Sequence, residues 1–443
     1  MKKSLCIILT VLLATSMLSL AGCGEKSKAE VYFLNFKPES AKIYDEIAKT
    51  YKSETGNTLK VVTAAANSYE QTLKSEMAKK NPPAIFQING PVGYETWKDY
   101  CADLKESRLY NMLSDKSLAV TKNGGVYGIP YVVEGYGIIY NLEILDKYFA
   151  LNNRQKTVNY VSEIKDFKSL KTVVEDMSAH LKELSLDGVF ASTSLASGED
   201  WRWQTHLLNV PLYYEFANGG DENPFTTALN TKEIDFKFAQ NYKNIFDLYL
   251  NNSTTKKTLL GSKSVSDSMA EFALGKAAMV QNGNWAWGQI SDVKGNTVKA
   301  ENIAFLPIYT GISGEENGGI CIGTENYLAI NSKLSEEAQT AAMDFLVWLF
   351  SSNTGKKYVT EKLGFLTPFS TFSKNELPED PLGRNMYEWM NKPGVTAIPW
   401  VFTSFPGENF KKQVGSLLLD YAQGGKDFAA VTAGTKQYWK SER

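Results

Sequence analysis

Histidine is nearly absent from this 443-residue chain, which has only His180 and His206. Neither stands in an H-E-x-x-H run, and C-x-x-C and G-x-S-x-G are missing, so the usual frameworks for zinc hydrolysis and for histidine-assisted serine or cysteine chemistry are not there. No G-x-x-x-x-G-K-[ST] run exists, nor a G-x-G-x-x-G opening a helix. Gly275-Lys276 is followed by Ala277, which lacks the hydroxyl that a phosphate-bound magnesium needs. No metal, nucleotide or other cofactor is expected. A charge excess is lacking too: 47 Lys and Arg are interspersed with 49 Asp and Glu for a formal net charge of −2, which argues against nucleic acid as a partner.

Cysteine is scarce, with four in all. Cys6 and Cys23 fall in the first two dozen residues, so Cys101 and Cys321 are left and no disulfide framework is possible. Spacing does not decide whether those two pair; two unpaired thiols are favoured. A long apolar run is also wanting. Leu5 to Leu13 is interrupted soon after by Thr15, Ser16 and Ser19 and falls short of the roughly 20 apolar residues that span a bilayer. With Met1-Lys2-Lys3 before it and Leu20-Ala21-Gly22 after it, the stretch reads as a signal leader, residues 1–22. Leu20-Ala21-Gly22-Cys23 resembles a lipobox, which implies that Cys23 carries a diacylglycerol. Residues 23–30, with Gly24-Glu25-Lys26-Ser27-Lys28, read as a lipidated tether. The expected location is the extracellular face of a bacterial cell membrane, held through the lipid alone.

What remains is a body too long for one core, which implies two lobes. Strand and helix signals alternate from residue 31: strand Val31 to Phe36, helix Ala41 to Ser53, strand Leu59 to Thr63, helix Tyr69 to Lys79, strand Ala84 to Ile88. This is βαβαβ. Ile43, Ile47, Ala48 and Tyr51 form the apolar stripe of the first helix. Residues 142 to about 300 are mostly helical in pattern, and short strands return at Ile303 to Leu306 and Tyr327 to Ile330 before a helix at Ser335 to Ser351.

Aromatic residues are plentiful at 12 %. Two tryptophan pairs stand out: Trp201 and Trp203 after Ser197-Gly198-Glu199-Asp200, and Trp285 and Trp287 in Gln281-Asn282-Gly283-Asn284-Trp285-Ala286-Trp287. Some of these rings are expected to face a ligand. If each pair is extended, both rings share one face; alternatively one ring of each pair packs into a core. Trp201 and Trp285 are favoured as ligand-facing, and Trp400 is read as core. Polar candidates lie beyond strand ends, the usual ligand position in open α/β sheets: Asn35 and Glu39 after the first strand, Asn67, Ser68 and Tyr69 after the second, Asn89 after the third, and Asp200 and Asn284 beside the tryptophans.

Several segments, taken in order, resemble the extracellular solute-binding proteins (family 1) of bacterial carbohydrate importers. They are Pro82-Pro83-Ala84-Ile85-Phe86-Gln87, Gly125-Val126-Tyr127-Gly128-Ile129-Pro130-Tyr131, Gly135-Tyr136-Gly137-Ile138-Ile139-Tyr140-Asn141, Phe272-Ala273-Leu274-Gly275-Lys276-Ala277-Ala278-Met279, Phe305-Leu306-Pro307, Gly318-Gly319 and Ala341-Ala342-Met343-Asp344-Phe345. The resemblance implies an α/β, two-lobed periplasmic-binding-protein-like (type II) fold with a ligand cleft between the lobes. It also implies closure onto a sugar and delivery to the permease subunits of an ABC importer. The lobes are expected at residues 31–141 with 303–355 and at residues 142–302 with 356–443, with hinges near 141, 302 and 356. By the same resemblance Glu134 and Tyr136 fall in a crossover segment, and Gly319 and Cys321 in a paired-glycine loop. Few basic residues accompany these candidates, Lys37 and Arg202 being the main ones, which suits a neutral oligosaccharide. A monomer is expected. The alternatives are a surface glycan hydrolase or transferase working through Glu134 and Asp200, or a sugar sensor or adhesin with no permease.

Overall fold

The computed structural model describes residues 30–65, 68–217, 223–324, 326–373 and 375–443. Its strands are β1 Glu30–Asn35, β2 Thr58–Thr63, β3 Ile85–Asn89, β4 Val120–Lys122, β5 Gly125–Pro130, β6 Glu134–Asn141, β7 Gly188–Phe190, β8 Ala277–Gly283, β9 Ile303–Leu306, β10 Gly318–Gly323, β11 Asn326–Ile330 and β12 Thr396–Pro399. They build two sheets, one ordered β2-β1-β3-β11-β5-β4 and the other β12-β10-β6-β8-β7 with β9 also paired to β6. The two-lobed α/β class is therefore as expected.

Both lobes rest on amphipathic helices laid over their sheets. In the helix Ala41–Thr55, Tyr44, Ile47 and Tyr51 are buried, one stripe of a 3.6-residue period, and Tyr44 meets Phe33 of β1 edge-on at 5.3 Å. The stripe centres on Tyr44 rather than Ile43, which is half-buried. Gly56 ends the helix with a φ of 76° and donates its N–H to the Lys52 carbonyl, the left-handed cap that glycine adopts without Cβ strain. Phe345, Leu346 and Leu349 of the helix Glu336–Ser351 close the same core.

The lobes divide the chain at different places from those expected. Strand β6 is buried along nearly its whole length, pairs with β8, β9 and β10, and so is the spine of the second sheet. Residues 134–141 and 303–323 thus lie in the second lobe, and the chain passes between sheets at 131–133 and from β10 to β11 instead of at 141 and 302. Residues just beyond 356 stay with the first lobe, where Val359, Phe365 and Phe369 join its core and Val133 bridges to Leu366. The third passage falls between Phe369 and Leu382, which packs in the second lobe. A strand that is apolar on both faces says that it is central but not in which sheet.

No helix among the described residues is long and apolar enough to cross a membrane. Cys101 and Cys321 are both buried and unpaired. The leader, Cys23 and most of the tether lie outside the described residues.

Candidate functional site

The parallel strands β1, β2 and β3 of the first sheet all end on the same side, and β11 begins there, with Asn326 opposite Asn89. In the second sheet β6 starts, and β8 and β10 end, at the facing side: Gly283 stands opposite Tyr136 and Gly323 opposite Glu134. The chain passages join these two rows, so the groups beyond them share one cleft.

On the second lobe the cleft is floored by rings. Trp201 and Trp285 are half-buried and lie 6.2 Å apart. Both touch His206, at 4.9 and 5.7 Å, and Trp285 meets Trp400 edge-on at 6.3 Å. Below them His206 stacks flat on Tyr136 at 4.2 Å, and the Tyr136 hydroxyl donates to the His206 carbonyl at 3.0 Å. Burial holds the imidazole pKa well below its ordinary value, and Arg202 nearby acts the same way, so the ring is a neutral packing element. Gly283 is required here, because a Cβ would stand 2.2 Å from the Trp285 ring.

The tryptophan pairs are not extended. Trp201 and Trp285 have helical dihedrals and open the helices Arg202–Leu207 and Ala286–Ser291. Two residues further along a helix lies on roughly the opposite side of its axis, and of the second rings Trp203 turns inward. Trp203 is only 2 % exposed, packs on Tyr249 and Phe246 and donates its indole N–H to the Ser194 carbonyl. Trp287 is half-buried and packs, like Trp201, against the core cluster that holds Val280 and Ile290. Trp400, read as core, is indeed buried at 1 % exposure, yet it forms the wall behind Trp285.

An ion pair joins the two lobes at their first passage. Lys37 Nζ lies 2.7 and 2.9 Å from the two carboxylate oxygens of Glu134, and both side chains are buried. Glu39 stands 3.9 Å from the same amine; enclosure by protein raises its carboxyl pKa, and Lys37 opposes that. Asn284 ties the strand ends together, its side chain accepting from the Gly135 N–H and its own N–H donating to the Gly135 carbonyl, both at 2.9 Å.

Other expected ligand residues are spent on the scaffold. Asn35 is fully buried and builds a turn, accepting from the Lys37 N–H and donating to the Lys37 carbonyl and the Thr63 hydroxyl. Tyr69 is buried too; its hydroxyl accepts from the Gln87 N–H at 2.7 Å and reaches the Leu34 carbonyl at 3.4 Å. The Ser68 hydroxyl donates to the Ala65 carbonyl. Asp200 lies against the helix Glu408–Ala422, where only a glycine fits: a Cβ at Gly415 would stand 1.7 Å from its carboxylate. Burial pushes the Asp200 carboxyl up to about 6. Cys321 is buried beside Tyr136 in the strand pairing, its thiol pushed up to about 12 by burial. Gly319 packs on Val395 and Ala397 at the far end of β10; the glycine of that strand at the cleft is Gly323, pressed against Trp400. Asn67 lies outside the described residues.

Several buried polar atoms in the segments that meet here have no hydrogen-bond partner: Asn89 Oδ1, Asn326 Oδ1, Thr324 Oγ1, Trp400 Nε1 and Ser404 Oγ. The lobes also touch directly. Gly90, at a φ of 60°, comes so close to Thr403 that a Cβ would stand 3.2 Å from the threonine Cβ and carbonyl oxygen. Beside this contact a cavity of about 250 Å³ opens between the lobes, with Glu70 and Asn89 on one side and Phe405, Glu408 and Lys411 on the other. Sequence reasoning missed His206, Gly283, Gly323 and this cavity; the run Asn282-Gly283-Asn284 before a tryptophan was the only local signal.

Residues 46–382 match the family model described as bacterial extracellular solute-binding protein. The Maltodextrin-binding protein MdxE of Bacillus subtilis (strain 168) is 24 % identical over 404 residues, covering 88 % of this chain and 84 % of that one. The Melibiose/raffinose/stachyose-binding protein MelE of the same organism is 27 % identical over 146 residues, 31 % of this chain and 34 % of that protein's length. Among solved structures, a chitin oligosaccharide binding protein superimposes with a TM-score of 0.70 at 17 % identity, over 94 % of this chain and 99 % of the other.

Proposed function

This chain belongs to the bacterial extracellular solute-binding proteins, and from that premise we propose that it is a receptor for a neutral oligosaccharide, which it carries to an ABC importer by closing its lobes. The paired, half-buried rings of Trp201 and Trp285 are the observation that carries this reading. They offer a C–H-binding surface facing strand ends that hold buried polar atoms without partners. Each such atom costs about 1 to 3 kcal/mol until it is hydrogen-bonded, and sugar hydroxyls remove that cost on binding. The saccharide-binding names of the related proteins point the same way.

In this reading the passages at 131–133, from β10 to β11 and between Phe369 and Leu382 are the hinges, and the Lys37–Glu134 pair fixes the first. Cys23 is the lipid anchor and the tether holds a monomer at the outer face of the membrane. Of the carboxylates weighed for hydrolysis, Glu134 is bound to Lys37 and Asp200 lies against Gly415, which supports a binder over a hydrolase. The test is calorimetric titration of the chain from residue 26 onward with raffinose, stachyose and maltotriose, and recovery of the sugar afterwards. Saturable binding with unchanged sugar is expected. Binding of peptides alone, or cleavage of the sugar, overturns the proposal. For the anchor, mass spectrometry of the exported protein should show diacylglycerol on Cys23, and Cys23→Ala should release it from membranes.

A further inference from the structure

Beneath the ring floor the second lobe buries a positive charge among neutral partners. Arg202 follows Trp201 in the chain and is 0 % exposed. Its guanidinium donates to the Gln281 backbone carbonyl and the Ser268 hydroxyl, both at 3.2 Å, and to the Ser194 hydroxyl, while its Nε has no partner. Gln281 returns the bond, its side-chain N–H donating to the Arg202 carbonyl at 2.7 Å. The carboxylates that act on this charge are bonded elsewhere: Glu271 pairs with Lys263 at 2.9 Å, and Glu199 accepts from the Val265 N–H at 3.0 Å. A buried ion is a costly way to fill space, since apolar residues of similar volume often serve stability as well or better. What a guanidinium supplies instead is direction, its donors being fixed in one rigid plane. Here that plane ties β8 and the helix Val265–Ala273 to the segment Arg202–Leu207, a π-type helix, which is a rare form. The segment starts beside Trp201 and carries His206, and β8 runs on to Trp285 two residues past its end. The two halves of the ring floor are thus joined from below by the reciprocal Arg202–Gln281 bonds. The guanidinium carbon also lies 5.7 Å from the Trp201 ring centre, within cation–π reach.

We infer that this clamp sets the separation and tilt of Trp201 and Trp285, and that Arg202 is a positioning residue for ligand affinity although, with no exposed surface, it touches no ligand itself. The inference rests on the receptor reading above, in which the two rings take the sugar. Rings 6.2 Å apart and inclined at 48° present one surface only while both carriers hold still, and a binding constellation must be held to within about 0.5 Å and 10 to 20°. Without the fork, the helix behind Trp201 loses its direct tie to the strand that leads to Trp285. The rings then shift against each other, and affinity falls although every atom of the ring floor is still there. A lysine at 202 keeps the charge but not the plane, because its single ammonium cannot direct donors to all three acceptors at once.

Arg202→Lys and Gln281→Met, the second removing the return bond at similar volume, test this beside Val431→Ala, a core truncation on the helix Phe428–Ser441 that acts on stability alone. Each protein is titrated calorimetrically with raffinose, stachyose and maltotriose. Each is also measured by circular dichroism against the same protein carrying Trp201→Phe; the difference is the exciton couplet of Trp201 with its neighbouring indoles, which reports ring geometry and needs no ligand. Both clamp variants should bind the best of the three sugars about tenfold or more weakly than wild type, with an altered couplet, whereas Val431→Ala should change neither. Melting curves identify folded variants, and Gln281→Met is decisive if the lysine variant does not fold. Wild type that binds a sugar while both clamp variants keep its affinity, or keep its couplet, overturns the clamp and leaves the receptor standing. Wild type that binds none of the sugars overturns the receptor reading, and the couplet alone then decides whether the clamp holds the rings: unchanged in both variants, it overturns that as well.

Discussion

Removing the amine of Lys37 should harm the protein more than removing its partner. Lys37 and Glu134 are both nearly inaccessible and meet at 2.7 Å. At an effective dielectric of about 20, unit charges about 3 Å apart attract by roughly 5 to 6 kcal/mol, most of which goes to offset the cost of taking two ions out of water. The intact pair is thus worth little net, but a broken one strands a buried charge, at about 3 to 5 kcal/mol. Glu39, 3.9 Å from the amine, makes the two halves unequal. Lys37→Met leaves two carboxylates facing each other, so its cost lies toward 5 kcal/mol. Glu134→Leu leaves the amine with Glu39 as a substitute, so its cost lies toward 3. The double variant, apolar at both positions, should recover most of the loss, giving a coupling of a few kcal/mol in a double-mutant cycle. Urea unfolding at pH 7 of the four proteins measures this. Single variants that each lose less than about 1 kcal/mol, or a double variant whose loss is the sum of the singles, refute the reasoning.

Trp201→Ala and Trp285→Ala should each weaken sugar binding at least tenfold, whereas Trp203→Ala should cost about 3 to 5 kcal/mol of stability and leave the affinity of the folded fraction unchanged; titration beside thermal melts separates the two. Gly283→Ala drives a methyl into the Trp285 ring and should lower affinity with a stability loss of about 1 to 3 kcal/mol, read in the same pair of assays. Asp200 has a folded pKa of about 6, above its unfolded value, because of burial. Its contribution to stability is therefore fully present below about pH 4 and lost as pH rises through 6, so Asp200→Asn should be more stable than wild type at pH 7.5 by on the order of 2 kcal/mol, with the gap closing by pH 4; a gap that does not change with pH rules this out. Ligand at about 100 times its dissociation constant should add roughly 2.7 kcal/mol of stability, visible as a rise in melting temperature that Trp285→Ala lacks.

Local elements of the fold were legible because their signals are local. The stripe of the helix Ala41–Thr55, the Gly56 stop and the apolar run of β3 each follow from a few neighbouring residues. Which sheet β6 joins depends on β8, β9 and β10, drawn from nearly two hundred residues of chain, and so the passage at 131–133 could not be placed by pattern. The site shows the same division. Trp201 and Trp285 stood out by residue type, but the separation of Trp203 from them turned on whether the segment was strand or helix. Asn35 and Tyr69 occupy strand ends as a cleft requires, yet hydrogen bonds to Lys37, Thr63 and Gln87 commit them to the scaffold. His206 gave no sign of lying under both tryptophans, because only the packing of the strand Thr396–Pro399 and the turn after it brings those rings together.

At Gly90 the two lobes meet with only a hydrogen atom where other residues carry a Cβ, 3.2 Å from Thr403. Gly90→Ala adds the strain of a left-handed backbone and sets a methyl against that contact, while the ring floor stays untouched. In the receptor reading such a variant separates two quantities, how tightly cargo is held and how closely the jaws meet around it.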